Sequence, residues 1–398
     1  MTVTVLCTGE SRSQSSAQKV AFAVGYVQLP HRYMKKHRTQ SDIHCNQGTN
    51  SRTTLLSIPR ELRDEIITLI LTSRRPSLQT AAEFETQNRM PLGSDTSGFS
   101  DDSGLYLEER SAYTSNAGGL LLASKQLRSE TQDALERLDL AHELEVKLVN
   151  ERFLAPTWSL IPTQTRHFKR VRAVVQSIGA WQKPASPSKF KMRDPWASGC
   201  GGPLAYVWQF YSTLRHFLTY GVDVPRPTAI PDLISVDNLE LDFIDPEDTD
   251  LLPPEGNQNI RLARCRPSGP GFPREPQLLR PEWLAWDLAG EMGTMFRMSS
   301  GRAPYAHMLH GRIGHMVFKV NGTIIAEIDV GQVLADVKFS GSFGSGSSDD
   351  LAEKWTNWKE EAQELRKKRG LKTVEFGDGW QAEARKWAAQ HYARYPYS

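Results

Sequence analysis

Four runs of β-branched and aliphatic residues limit this chain more than any other feature: ELEVKLV at 143–149, VRAVVQS at 171–177, NLELDFI at 238–244 and HMVFKVNGTIIAEIDV at 315–330. Each alternates or clusters apolar side chains as a strand does. Between them lie segments of helical spacing, Leu204 to Tyr220 and Pro281 to Met298, reached through Pro- and Gly-rich stretches at 182–203 and 253–276. That order requires a sheet with helices packed on it, so a mixed α/β body is expected over 139–340. Asn321-Gly322 inside the last run predicts a two-residue hairpin turn, because both residues tolerate the positive φ such a turn demands. Val171, Val174, Leu239, Leu241 and Val317 are the expected buried sheet residues.

Two helices precede the body. Pro59 to Leu71 places Leu62, Ile66 and Leu69 or Ile70 on one apolar stripe, with Pro59 in the first turn, where a missing N–H costs nothing. Leu120 to Leu138 places Leu120, Ala123, Leu127, Ala134 and Leu138 on one face, entered through Gly118-Gly119. The segment 76–118 between them is polar and rich in Gly, Ser and Pro, and reads as a flexible insertion. The chain therefore divides into a disordered leader (1–53), a helix pair split by that insertion (54–138), the body (139–340), a Gly/Ser linker (341–350) and C-terminal helices (351–398). Trp355, Trp358 and Leu365 lie near one face of the first C-terminal helix and suit docking back onto the body. No short repeat period is present, which disfavours a leucine-rich-repeat solenoid.

Composition narrows the function. The formal charge is +2 on 48 basic and 46 acidic side chains, so no overall field favours nucleic acid or an anionic membrane. The four cysteines, Cys7, Cys45, Cys200 and Cys265, are far apart and form no C-x-x-C pair, which fits a reducing compartment. No basic residue precedes the first apolar run, and no segment approaches the roughly 18 apolar residues of a membrane span. The leader carries Arg12, Lys19, Arg32, Lys35, Lys36 and Arg38 against Glu10, the bias of a mitochondrial presequence. Pro30 and scattered polar residues break any sustained amphipathic helix there, so a basic disordered tail is expected instead.

The motifs that carry chemistry are weak. His307, His310 and His315 lack a neighbouring acid and sit in a Gly-flanked stretch that reads as a loop leading to a strand, so no metal site is expected. The acidic run DFIDPEDTD at 242–250 lacks the central glycine of a calcium loop and reads as a solvated turn. GSFGSGSS has no Lys-Ser/Thr after it, and no G-x-S-x-G elbow exists. RKKRG at 366–370 admits a nucleic-acid patch, but cations at a helix C-terminus also complement the helix dipole. No reaction, metal or cofactor is indicated.

The helix pair is more specific. Ile58-Pro59-x-Glu61-Leu62-Arg63-x-Glu65-Ile66-Ile67-x-Leu69 resembles the first helix of an F-box, and Leu120 to Arg128, with its L-x-x-x-S-K-x-x-R pattern, resembles the second. Together they look like fungal F-box-like proteins of the E-x-R type, with Glu61-Leu62-Arg63 as the signature. The order of ELEVKLVNERFLAPTWSLIP, RVRAVVQSIG, NLELDFIDP and the MVFKVNG hairpin resembles the uncharacterised body attached to that pair. The resemblance implies an α+β, non-enzymatic adaptor that binds the Skp1 subunit of a cullin-RING ubiquitin ligase and presents a protein substrate. Ile58, Pro59, Leu62, Ile66, Leu122 and Leu127 would contact the partner. A cytoplasmic or nuclear location, without nucleic acid or membrane, goes with it. A structural or scaffolding protein without a ligase link, or an enzyme of unrecognised class using the 242–250 acids, are the alternatives.

Overall fold

Strand runs separated by helices give a sheet in which neighbouring strands run parallel wherever a helix carries the chain back. The computed structural model describes residues 54–87, 89–92, 104–108, 114–180, 203–222, 234–253, 278–298, 303–339 and 348–394. In chain order these residues form α1 (Arg60–Thr72), α2 (Ala81–Thr86), β1 (Arg89–Pro91), β2 (Tyr106–Glu108), α3 (Gly118–Ala123), α4 (Lys125–Leu138), β3 (His142–Val149) and β4 (Phe153–Leu160). Then come β5 (His167–Ile178), α5 (Ala205–Tyr220), β6 (Ser235–Ile244), α6 (Pro281–Phe296), α7 (Ala303–His310), β7 (Ile313–Val320), β8 (Thr323–Asp329), α8 (Val330–Asp336), α9 (Ser348–Lys368) and α10 (Trp380–Arg394). The fold is α+β.

The main sheet has the order β4-β3-β5-β6-β7-β8. β3, β5, β6 and β7 are parallel, while each edge strand joins by an antiparallel hairpin. One face is apolar: Leu144, Val146, Val171, Ala173, Leu239, Leu241, Met316 and Phe318 form a single core with Leu214 and Phe217 of α5 and Leu288 and Met292 of α6. The other face carries charges in register, so its polar groups are matched across strands. Arg172 donates to Asp242 (2.8 Å) and Lys319 to Glu240 (2.6 Å). Val171, Leu239, Leu241 and Val317 are buried as expected, and Val174, on the charged face, is half-buried.

The hairpin at Asn321-Gly322 forms with φ of 48° and 80°. The acidic run is what holds it: the Gly322 N–H donates to Asp242 (2.9 Å) and the Asn321 amide to Asp245 (3.0 Å). A second hairpin, β3 to β4, turns at Asn150 and Glu151, both at positive φ. Its β4 contains Pro156, which a sheet tolerates because β4 is an edge strand.

Several sequence expectations need correction. The helix expected over Leu120 to Leu138 breaks at Ser124, whose extended backbone ends α3 and whose hydroxyl caps α4 by accepting from the Leu127 N–H (3.1 Å). His307 and His310 lie on α7 rather than in a loop. Described parts of the insertion, expected to be flexible throughout 76–118, form α2 and the β1–β2 ribbon, with Leu78 and Leu105 fully buried against the sheet end. Apolar residues spaced too widely for a periodicity signal anchor that segment. The Gly/Ser run to 347 and the leader 1–53 lie outside the described residues.

At the C-terminus, Trp355, Trp358 and Ala362 of α9 and Ala384 and Ala388 of α10 share a core with Ala306, Leu334 and Phe339. Lys359 is buried there, donating to the Ala335 and Val337 carbonyls (2.9 and 3.0 Å) within a box of Trp355, Phe376 and Trp380 rings. Arg366 is fully buried too and donates to the His310, Ile313 and Lys372 carbonyls. The basic run thus begins with a structural residue. The described residues, all from Thr54 onward, belong to one compact unit.

Leu241 is the central test of this core, being fully buried at the middle of β6. Leu241→Ala is expected to cost about 2–5 kcal/mol of unfolding free energy in a denaturant titration. A cost below about half a kcal/mol would place it at the surface.

Candidate partner-docking face

The α1 helix is apolar over a wide arc, and at 100° per residue its apolar positions split into two adjacent stripes. Arg63, Ile67 and Leu71 face inward and are buried. Leu62, Ile66, Leu69 and Ile70 make the neighbouring stripe, in which Leu62 is 49% exposed and Leu69 63%. The helix is therefore rotated so that part of its apolar surface stays uncovered.

A buried ion pair sets that rotation. Arg63 donates from Nε (2.9 Å) and Nη2 (2.6 Å) to the two carboxylate oxygens of Glu130 on α4, and from Nη1 to the Ile58 carbonyl (2.6 Å). A bidentate guanidinium–carboxylate pair fixes angle as well as distance. Below it, Ile67 and Leu71 pack with Leu120, Leu127 and Ala134 into a separate helical core. The Arg63 guanidinium holds the Glu130 carboxyl down to about 2, with help from a Gln126 hydrogen bond (3.1 Å), and the Arg63 pKa is raised in turn by the Glu130 hydrogen bond.

The ends of the unit are tied down. The Asn116 amide donates to the Ile70 and Ser73 carbonyls (3.0 and 2.7 Å), closing α1, while the Asn116 and Ala117 N–H groups donate to Ile161 and Pro162 beyond β4. Arg74 pairs with Glu143 on β3, and Arg170 on β5 donates to the Asp139 carbonyl after α4 (2.7 Å). At the break between α3 and α4, Arg128 donates to the Leu121 carbonyl (2.9 Å), leaving Leu122 81% exposed. Two of the motif's polar residues, Ser124 and Arg128, thus shape this corner.

Of the six residues expected to contact a partner, Pro59, Leu62 and Leu122 are exposed and Ile58 and Ile66 half-buried. Leu127 is corrected: at 5% exposure it belongs to the inner helical core and supports the face rather than lining it. Leu69, Ile70 and Leu56 are exposed apolar residues of the same helical unit, and only the first two were visible from the helical spacing.

The other candidates resolve into structure. His310 is buried with Nε2 against the Phe296 carbonyl (3.0 Å), and burial pushes it down to about 3. His307 stacks on Trp358, and His315 sits across from Glu327. Among the described residues no group of His, Cys, Asp or Glu is placed to hold a metal ion. A cavity of about 40 Å³ near Trp158, Thr213, His216 and Phe217 has room for water, whereas metabolite pockets run to roughly 300–1,000 Å³. No helix among the described residues is long and apolar enough to cross a membrane. Comparison with protein-family models, with curated proteins and with solved structures gave no match.

The ion pair makes an acid-sensitive prediction. Because the Glu130 pKa is depressed from 4.5 to about 2, its contribution to stability is complete above the ordinary carboxylate range and is lost as pH falls toward about 2. In an unfolding series from neutral to acid pH, Glu130→Gln should be less stable at neutral pH and lose part of the acid dependence. An unaltered pH profile would show that the pair does not hold α1.

Proposed function

We propose that the chain is an F-box-like adaptor in which α1 presents Leu62, Ile66, Leu69 and Ile70 to a Skp1-type subunit of a ubiquitin ligase, and the α+β body engages a protein substrate. The observation that supports this reading is the uncovered apolar stripe of α1, lying beside an inward stripe locked by Arg63 and Glu130. An exposed apolar helix face on a braced unit suits docking into an apolar groove. The pattern Glu61-Leu62-Arg63 then has a physical sense: its arginine orients the helix and its leucine is offered outward.

Leu62→Asp tests it. The substitution puts a carboxylate on a half-exposed position, so the thermal melt of the full chain should stay close to that of the wild type. Capture of purified Skp1 should be lost, since an unpaired carboxylate buried at an interface costs several kcal/mol against the roughly 8 kcal/mol of a micromolar complex. Ile67→Asp, on the inward stripe, should instead lower the melt. Failure of the wild-type chain to capture Skp1 would overturn the reading.

A further inference from the structure

Two arginines that the adaptor reading does not use lie near each other at the C-terminal end of α9. Arg312, in the turn between α7 and β7, donates from Nη1 to the Leu218 carbonyl near the end of α5 (2.7 Å). Arg369, just past α9, donates from Nη1 to the Gly311 carbonyl (2.8 Å), the residue immediately before Arg312. One guanidinium therefore touches the backbone that carries the other. Neither has a carboxylate partner among the described residues, and Arg369 Nη2 is buried without a hydrogen-bond partner.

A guanidinium has five N–H donors, and cations near helix C-termini commonly spend one or two on free carbonyls. That accounts for one bond at each arginine. Arg366, one turn earlier, shows what a purely structural arginine looks like here, with all three nitrogens donating to carbonyls. Among the described residues Arg312 and Arg369 each make one such bond, both are partly buried, and they repel each other; burial and the nearby Arg369 charge push Arg312 down to about 10. Like charges gathered in a partly desolvated place are costly unless an anion joins them.

We propose that Arg312 and Arg369 form a binding site for a phosphate-class oxyanion. Two forks of N–H donors match the several oxygens of a tetrahedral dianion, and charge-assisted bonds of this kind are the strong ones. The ligand is either free phosphate or a phosphorylated side chain. The site is separate from α1, so its failure would leave the adaptor reading untouched.

Isothermal titration of the full chain with inorganic phosphate and with O-phosphoserine, at ionic strength held constant with sodium chloride, tests this. Saturable binding is expected, weakened on the order of tenfold or more in Arg369→Gln and in Arg312→Gln and unchanged in Lys354→Gln, an exposed cation on α9. Tighter binding of phosphoserine assigns the site to a phosphorylated side chain; tighter binding of inorganic phosphate assigns it to the free ion. In phosphate-free buffer the two Gln variants should melt no lower than the wild type, because removing one of two like charges relieves their repulsion, whereas arginines serving only as helix caps would lower the melt. No saturable binding by the wild type, or binding by both Gln variants as tight as that of the wild type, overturns the proposal.

Discussion

The contact between Arg63 and Glu130 decides what this chain can show to a partner. Without it, α1 could roll either apolar stripe toward α4, since Leu62 and Ile66 are as hydrophobic as Ile67 and Leu71. With it, the guanidinium must sit against α4 with both donors aligned, and rotation is no longer free. The stripe left over is a consequence of that choice. It is also why the corner at Ser124 matters, because the break there ends α3 with Leu122 still in solvent.

The sheet supplies the platform. Its apolar face is covered by α5 and α6 together with Leu309 of α7 and Val330 of α8, and its other face stays polar, with Arg172 matched to Asp242 and Lys319 to Glu240. The edges are treated differently from the centre. At β4, the Leu154 N–H donates to the Gly104 carbonyl and the Ser159 carbonyl accepts from the Arg75 N–H, so the insertion and the segment after α1 occupy part of that edge. At β8, a register shift opposite Phe318 and Lys319 interrupts the regular ladder, and Glu327 puts an exposed charge on the edge strand. Both are ordinary defences against uncontrolled strand pairing.

Much of this was legible in the sequence, and the parts that were not share a cause. The central strands and the Asn321-Gly322 hairpin follow from local pattern, as do α5 and α6. β4 did not, since Pro156 argues against a strand unless its edge position is known, and Asn150-Glu151 is a poorer turn signal than Asn-Gly. The inward stripe of α1 was hidden by Arg63, which looks polar until its partner 67 residues away is seen. Likewise the acids at 242–250 looked like a free loop, yet Asp242 and Asp245 close the hairpin 76 to 80 residues later. Arg63, Asp242 and Asp245 take their structural roles from long-range partners, and periodicity, which reports burial of apolar side chains, says nothing of paired ions.

Hydroxyl-radical footprinting of the full chain, alone and with purified Skp1, measures the central claim residue by residue. Leu62, Leu69 and Leu122 are expected to be readily modified in the free chain while Ile67, Leu71 and Leu127 are not, and Leu62 and Leu69 to become protected when Skp1 is added. Leu62 and Leu69 as unreactive as Ile67 in the free chain, or equally reactive with and without Skp1 at saturating concentration, would contradict it.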